Sequence, residues 1–262
     1  MELDWDSQRA AWSSPPVDDV GYIPSADLLG RTDDQLRVLV EEMRRTRYTG
    51  WRNHGGLWRD LLGLDTTTGR DVLDFGCGTG VEALEYARTG NRVSIADLCM
   101  DNLMLAYRII RLMVPDARTP EVHLVSDRLP YLSVDRARYD VVHCSGVLHH
   151  IPWARQIMER FHDVLRPGGE VRLMLYSDQG WRDYAGTEPP TGPPEESPAF
   201  RTFVRAFDSV GEYADWYDEA KINRMFGDLF RVERFAYLTH DRRYCAAVLR
   251  RRDPWTDREK AA

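Results

Sequence analysis

No apolar run in this chain approaches the roughly 18 residues that a membrane-spanning helix needs. The opening Met1-Glu-Leu-Asp-Trp-Asp6 has neither the basic nor the apolar stretch of a secretory leader. A cytoplasmic protein with no membrane association is the expectation. Cysteine is sparse: Cys77, Cys99, Cys144 and Cys245 show no Cys-x-x-Cys or Cys-x-His spacing, so buried free thiols are expected rather than disulfides or a metal site. Basic charge is also short. A formal net charge of −7 over 262 residues gives no electrostatic footprint for nucleic acid. No internal repeat occurs, and no Gly-Lys-Ser/Thr follows the glycine-rich stretch, which excludes a Walker phosphate loop.

What the chain does have is a run at Val72-Leu-Asp-Phe-Gly-Cys-Gly-Thr-Gly80. A short apolar segment ends in glycines at alternate positions, and residues 81–88 continue at helical spacing. This reads as a strand breaking into a tight turn that opens a helix. Downstream, helices over 81–89, 101–113 and 152–165 alternate with strands over 92–96, 121–125, 139–145 and 170–176. That alternation predicts a doubly wound α/β sheet, with helices on both faces and a ligand beyond the carboxyl ends of the strands. The Pro- and Gly-rich stretch 186–198 is read as an inserted loop. Helices over 199–207 and 219–226 follow, and strands over 230–238 and 244–250 are expected to pair antiparallel at a sheet edge. Residues 1–30, broken by Pro15-Pro16 and Pro24, read as an irregular arm whose Trp5, Trp12, Tyr22 and Ile23 pack on the body or over a site. A helix from residue 32 and a short one over 57–62 frame an aromatic segment around Trp51 and His54, which reads as a lid over the ligand or a loop pinned to the core.

Chemistry concentrates at the strand ends. The third glycine of Gly76-x-Gly78-x-Gly80 comes one residue earlier than the dinucleotide fingerprint requires, which turns the reading away from NAD. Asp97 ends the second strand, where an acid can accept both hydrogen bonds of a ribose diol. Asp127 follows the third strand, where a carboxylate can accept from an adenine amino group. Asp74, at the base of the turn, would orient the loop or meet a cationic amino group.

These stretches, together with Tyr139-Asp-Val-Val-His-Cys-Ser-Gly-Val-Leu-His-His-Ile151 and Val164-Leu-Arg-Pro-Gly-Gly169, resemble the class I S-adenosylmethionine-dependent methyltransferases. The resemblance spans roughly residues 70–176. It implies a Rossmann-like seven-stranded sheet, mostly parallel with an antiparallel last strand, and S-adenosylmethionine as cofactor, with S-adenosylhomocysteine as product. Carried over by position, Asp74, Gly76, Cys77, Gly78, Gly80, Asp97, Leu98, Asp127, Arg128 and Ser145 would hold the cofactor. The residue before Asp127 is Ser126, where the family usually has glycine. His149 is the first candidate for a general base and His150 the second, because imidazole titrates near neutrality and both follow the fourth strand. His54, Tyr22, Trp51, Tyr176 and Trp181 are candidate acceptor contacts, and no metal is implied.

The expected division is an arm and helical lid over 1–65, a cofactor-binding methyltransferase domain over 66–252 with an acceptor-site insertion at about 178–215, and a tail over 253–262. The function expected is methyl transfer to oxygen, nitrogen or carbon of a small, aromatic or hydrophobic metabolite, in specialised metabolism. An RNA or protein methyltransferase and a non-catalytic cofactor-binding scaffold are the alternatives. The sequence does not give the oligomeric state.

Overall fold

In the computed structural model, which describes residues 4–14, 21–49, 56–207 and 211–253, the run Asp71–Phe75 is strand β1. Its residues Val72, Leu73, Asp74 and Phe75 are all buried, as a strand covered on both faces requires. β2 (Arg92–Asp97), β3 (Glu121–Leu124), β4 (Tyr139–Ser145), β5 (Leu165–Tyr176), β6 (Phe230–Tyr237) and β7 (Tyr244–Arg251) complete a sheet of order β3-β2-β1-β4-β5-β7-β6. β1 to β5 run parallel, and β7 is antiparallel to both β5 and β6. This is the expected seven-stranded sheet with its antiparallel last strand. The order reverses at β1, so a crevice opens beyond the carboxyl ends of β1 and β4.

Alternation along the strands builds two cores. Val72 and Val141 face one layer, made by α3 (Asp33–Thr49), α5 (Val81–Arg88) and α6 (Met100–Met113), while Leu73, Phe75 and Val142 face α7 (Ala154–Val164) and α10 (Glu219–Phe226). In α7 the buried Ile157, Met158, Phe161 and Val164 recur at helical spacing, so one stripe of an otherwise polar helix seals that face.

Three stretches differ from the expectation. Among its described residues the arm is partly helical: it carries α1 (Trp5–Trp12) and α2 (Ser25–Leu29). The Asp4 carboxylate caps α1 by accepting from Asp6 N at 3.1 Å, and α2 starts directly after Pro24, so that proline bounds a helix instead of forbidding one. β5 begins at Leu165 rather than residue 170, because the Pro167-Gly-Gly169 stretch carries a register shift between Tyr139 and Val141 of the neighbouring strand. Finally, α8 (Asp178–Ala185) occupies the start of the insertion. The Ser177 hydroxyl caps it, accepting from Gly180 N at 3.0 Å, and Gly186 ends it with φ +70°. With α9 (Phe200–Phe207), it forms a third cluster in which Tyr176, Trp181, Phe203 and Trp216 are buried. α4 (Leu57–Leu61) completes the fold, and no described helix is long and apolar enough to cross a membrane.

Candidate functional site

The chain leaves β1 through Gly76, whose backbone N–H donates to Ala96 O at 2.7 Å. Gly76 has φ +75°, and a Cβ there would fall 2.3 Å from a Val147 methyl carbon. At Gly80, with φ +78°, a Cβ would fall 2.5 Å from Ala106 Cβ in α6. Glycine is therefore required twice, once for the approach of the loop after β4 and once for that of a helix. Asp97 closes this end of the site. Its Oδ2 accepts from Gly78 N at 3.0 Å, and its Oδ1 accepts from Cys99 N at 2.9 Å and from Asn102 Nδ2 at 3.1 Å. Burial raises the carboxyl pKa, and these donors oppose the shift.

Beneath the turn, Asp74 is buried and its Oδ2 has no hydrogen-bond partner. Burial first, then Glu82 and Asp97, hold it well above the usual carboxylate range. Glu82, in the first turn of α5, accepts from Arg47 of α3 at 2.6 Å in a pair almost closed to solvent. Burial also pushes the Cys77 thiol well up, and the Cys144 thiol with it, so neither is a ready nucleophile.

From this turn a cavity of about 250 Å³ extends toward the end of β5. Its remaining wall is rich in aromatic rings, with Trp5 and Trp12 from α1, Trp58, Trp153, Tyr176 and Tyr244 around it, and includes aliphatic Ile151, Ile157 and Met174. α1 is held there by Asn102, whose Nδ2 donates to Trp12 O at 2.9 Å while its Oδ1 accepts from Ser25 Oγ at 2.6 Å. One side chain thus joins Asp97 to both arm helices. Gln8 Nε2, Trp58 Nε1 and Trp153 Nε1 are buried donors of wall residues with no acceptor.

A single 3₁₀ turn, Leu148–His150, brings two histidines into the wall. His149 is fully buried, its ring stacked on Tyr176 at 3.7 Å, and neither ring nitrogen has a partner. Burial pushes its pKa well below the ordinary value, so the ring is neutral. His150 Nδ1 lies 3.0 Å from Tyr213 O and its ring lies 4.7 Å from that of Trp12. A carbonyl only accepts, so Nδ1 carries the proton and Nε2 holds the lone pair in the neutral ring.

Of the residues singled out from sequence, Gly76, Cys77, Gly78, Asp97, Leu98, Ser145, His149, His150, Tyr22 and Tyr176 contribute to this wall. Asp74 lies under the turn, and Gly80 packs on α6. Asp127 and Arg128 are exposed and outside the wall, because Ser126 N donates to Tyr131 O at 2.7 Å and closes a loop that carries them into solvent. Val125 lines the cavity in their place. Trp181 does not reach the cavity either; it is fully buried against Phe203 at 4.6 Å, in the cluster behind Tyr176. Trp51 and His54 lie outside the described residues. Sequence reasoning missed Gln8, Arg47, Trp58, Glu82, Asn102, Trp153 and Tyr244. The seven-residue spacing of Trp5 and Trp12, two helical turns, was the available signal for α1.

Comparison with known proteins agrees with this geometry. Residues 72–169 match the family model of a methyltransferase domain. The ubiquinone biosynthesis O-methyltransferase of Albidiferax ferrireducens is 30% identical over 122 residues, which are 46% of this chain and 43% of that protein. The enzyme of the same name from Paracidovorax citrulli is 33% identical over 115 residues, 44% and 46% of the two chains. The chain thus spans under half the length of the curated relatives it matches. Among solved structures, magnesium protoporphyrin IX methyltransferase from Synechocystis PCC 6803 with bound S-adenosylhomocysteine superposes with a TM-score of 0.56 at 17% identity, over 95% of this chain and 94% of that one. An S-adenosylmethionine-dependent methyltransferase from Mesorhizobium loti gives 0.56 at 18% identity, over 74% and 96%. These two likenesses show the fold. The match to a methyltransferase domain rests on residues 72–169.

Proposed function

We propose that this protein transfers the methyl group of S-adenosylmethionine to an oxygen of a small aromatic acceptor. The observation that carries the reading is the single cavity that joins the glycine turn and Asp97 at one end to an aromatic wall and His150 at the other. The donor set suits the cofactor. Asp97 stands where a ribose diol would meet it, and Gly76 to Gly78 let the chain approach closely. When bound, the cofactor supplies a methyl group made electrophilic by its sulfonium.

The chain's own residues then have two tasks. The aromatic wall orients a flat acceptor and excludes water, and a positioned acceptor within about 3–3.5 Å of the methyl carbon gains much of the rate from orientation alone. His150 Nε2 would take the proton that the acceptor hydroxyl gives up on methylation, with Nδ1–H held by Tyr213 O. The fixed tautomer makes His150 the base in preference to His149, whose fully buried ring resists taking up a proton. An oxygen acceptor is favoured because, among the described residues, the acids in the wall are Glu82 and Asp97, both near the turn, leaving no carboxylate at the far end to hold an amine. The names of the curated relatives point the same way.

The test is calorimetric binding of S-adenosylhomocysteine, followed by transfer of a labelled methyl group to a panel of hydroxylated aromatic compounds and matching amines. Label appearing on the phenols is the expected outcome. Absence of product binding would remove the cofactor assignment, and label on amines alone would remove the oxygen assignment.

A further inference from the structure

His150 Nδ1 bonds the Tyr213 carbonyl, and that carbonyl belongs to a short segment with an unusual anchor. Residues 213–217 run alongside the 3₁₀ turn. Asp215 N donates to His149 O at 2.8 Å, His150 Nδ1 donates to Tyr213 O at 3.0 Å, and Tyr217 N donates to Tyr176 O at 2.8 Å. The segment therefore bonds to both histidines and to the aromatic residue under His149. At its centre, Asp215 Oδ1 accepts from Lys221 Nζ at 2.6 Å and from Trp216 N at 2.8 Å. The two side chains are 5% and 7% exposed. Lys221 Nζ also lies 4.2 Å from the Trp216 ring centroid and 5.1 Å from that of Tyr217.

Lys221 is in the first turn of α10, where Asp218 Oδ1 accepts from its backbone N–H at 2.6 Å, and Ile222 and Phe226 of the same helix are buried in the core beneath the sheet. The ammonium is thus fixed to a rigid element, and Asp215 is fixed to the ammonium. A buried ion pair is a poor way to gain stability, since apolar residues of equal volume generally do as well or better. What it supplies is geometry: a charged partner in one place holds the intervening backbone in one register.

We propose that Asp215 and Lys221 are positioning residues for the methyl-transfer site, holding the Tyr213 carbonyl where it locks His150 in the Nδ1–H tautomer with Nε2 as the basic nitrogen. They act through the backbone of 213–215 and touch neither acceptor nor cofactor. The proposal rests on the reading of His150 as the base, but its structural content, the tautomer, is measurable without any acceptor.

The experiment is ¹⁵N long-range correlation spectroscopy of histidine-labelled protein, with the His150 signals assigned by their loss in His150→Gln. Wild type is expected to show Nδ1–H and unprotonated Nε2. In the double variant Asp215→Leu/Lys221→Met, which removes both charges and leaves no buried charge alone, the tautomer ratio is expected to move toward Nε2–H by roughly five- to tenfold, the scale of one hydrogen bond lost or weakened. S-adenosylhomocysteine affinity should stay unchanged. A wild-type Nε2–H pattern, or a folded double variant with an unaltered ratio, overturns the proposal. Should the double variant fail to fold, Asp215→Asn serves in its place: a shift in the same direction supports the positioning role, and an unmoved ratio overturns it. Loss of product binding by wild type would instead break the methyltransferase reading and leave the tautomer result standing.

Discussion

At one end of the cavity the wall is largely backbone, and at the other it is side chain. The glycine turn, the end of β2 and the first turn of α5 form a surface whose shape follows from local chain geometry, with Asp97 bonded to Gly78, Cys99 and Asn102. The far end is assembled from α1, α4, the 3₁₀ turn after β4, and the ends of β5 and β7, elements far apart in sequence. A common donor needs only the first kind of surface, whereas a particular acceptor needs the second. Substitutions at the two ends should therefore separate donor binding from transfer.

The largest expected effect is at the aromatic end. His150→Gln should lower kcat by roughly 10²–10⁴-fold, the usual contribution of a positioned general base, while the affinity for S-adenosylhomocysteine stays near that of wild type. Steady-state kinetics on whichever phenol accepts label, set beside calorimetry, reads both. A parallel collapse of product affinity would mean that the two ends are not separable.

Asp97→Ala should do the reverse. It removes the acceptor shared by two backbone donors and Asn102, and with it the expected ribose contact. The loss is about 3 kcal/mol, or roughly a hundredfold in product affinity. Affinity within a factor of two of wild type would show that the ribose lies elsewhere.

How far the sequence exposes each end follows the same division. Gly76, Gly78 and Asp97 were legible because strand, turn and helix succeed one another within a few residues, and the sheet order follows from the alternation of periods. For Asp127, spacing places an acid after β3 but does not say that the Ser126–Tyr131 loop turns it outward. Trp181 is similar: α8, capped by Ser177 and stopped at Gly186, turns the ring inward behind Tyr176. The contributions of Trp58 and Tyr244 depend on α4 packing near β7, a long-range contact that no local pattern encodes.

Buried histidines give a pH test that reaches under the turn. His143 pairs in register with Asp74 across β1 and β4, is fully buried with both ring nitrogens unpartnered, and has its pKa pushed down to about 3 by burial, then by Arg172 and Arg47. Its folded pKa lies below the unfolded value of about 6.5, so the unfolded chain binds the extra proton. Stability is then complete above about pH 6.5 and falls as pH drops toward 3, at about 1.4 kcal/mol per unit for this group. His149 adds a slope of the same sign from the aromatic end. Urea midpoints measured from pH 6.5 to about pH 5 should decline in wild type and decline less steeply in His143→Leu. An unchanged slope in that variant would mean that His143 is accessible to protons in the folded state.

The smallest effect tests the helix that spans both ends. Trp12→Ala removes the ring lying 4.7 Å from that of His150 but keeps the Trp12 carbonyl that Asn102 Nδ2 bonds at 2.9 Å. α1 should therefore stay docked beside Asp97 while the aromatic wall loses one face. The lost ring contact corresponds to about 1 kcal/mol, so the acceptor KM should rise roughly fivefold, with kcat and product affinity nearly constant. The contrasting variant is Asn102→Ala, which keeps the ring and removes the tether; it should weaken product binding, since Asp97 loses a donor and α1 its link to Asp97. If both variants instead change KM and product affinity together, α1 acts on the cavity as one rigid cover, and the division between a backbone end and a side-chain end stops at the sheet.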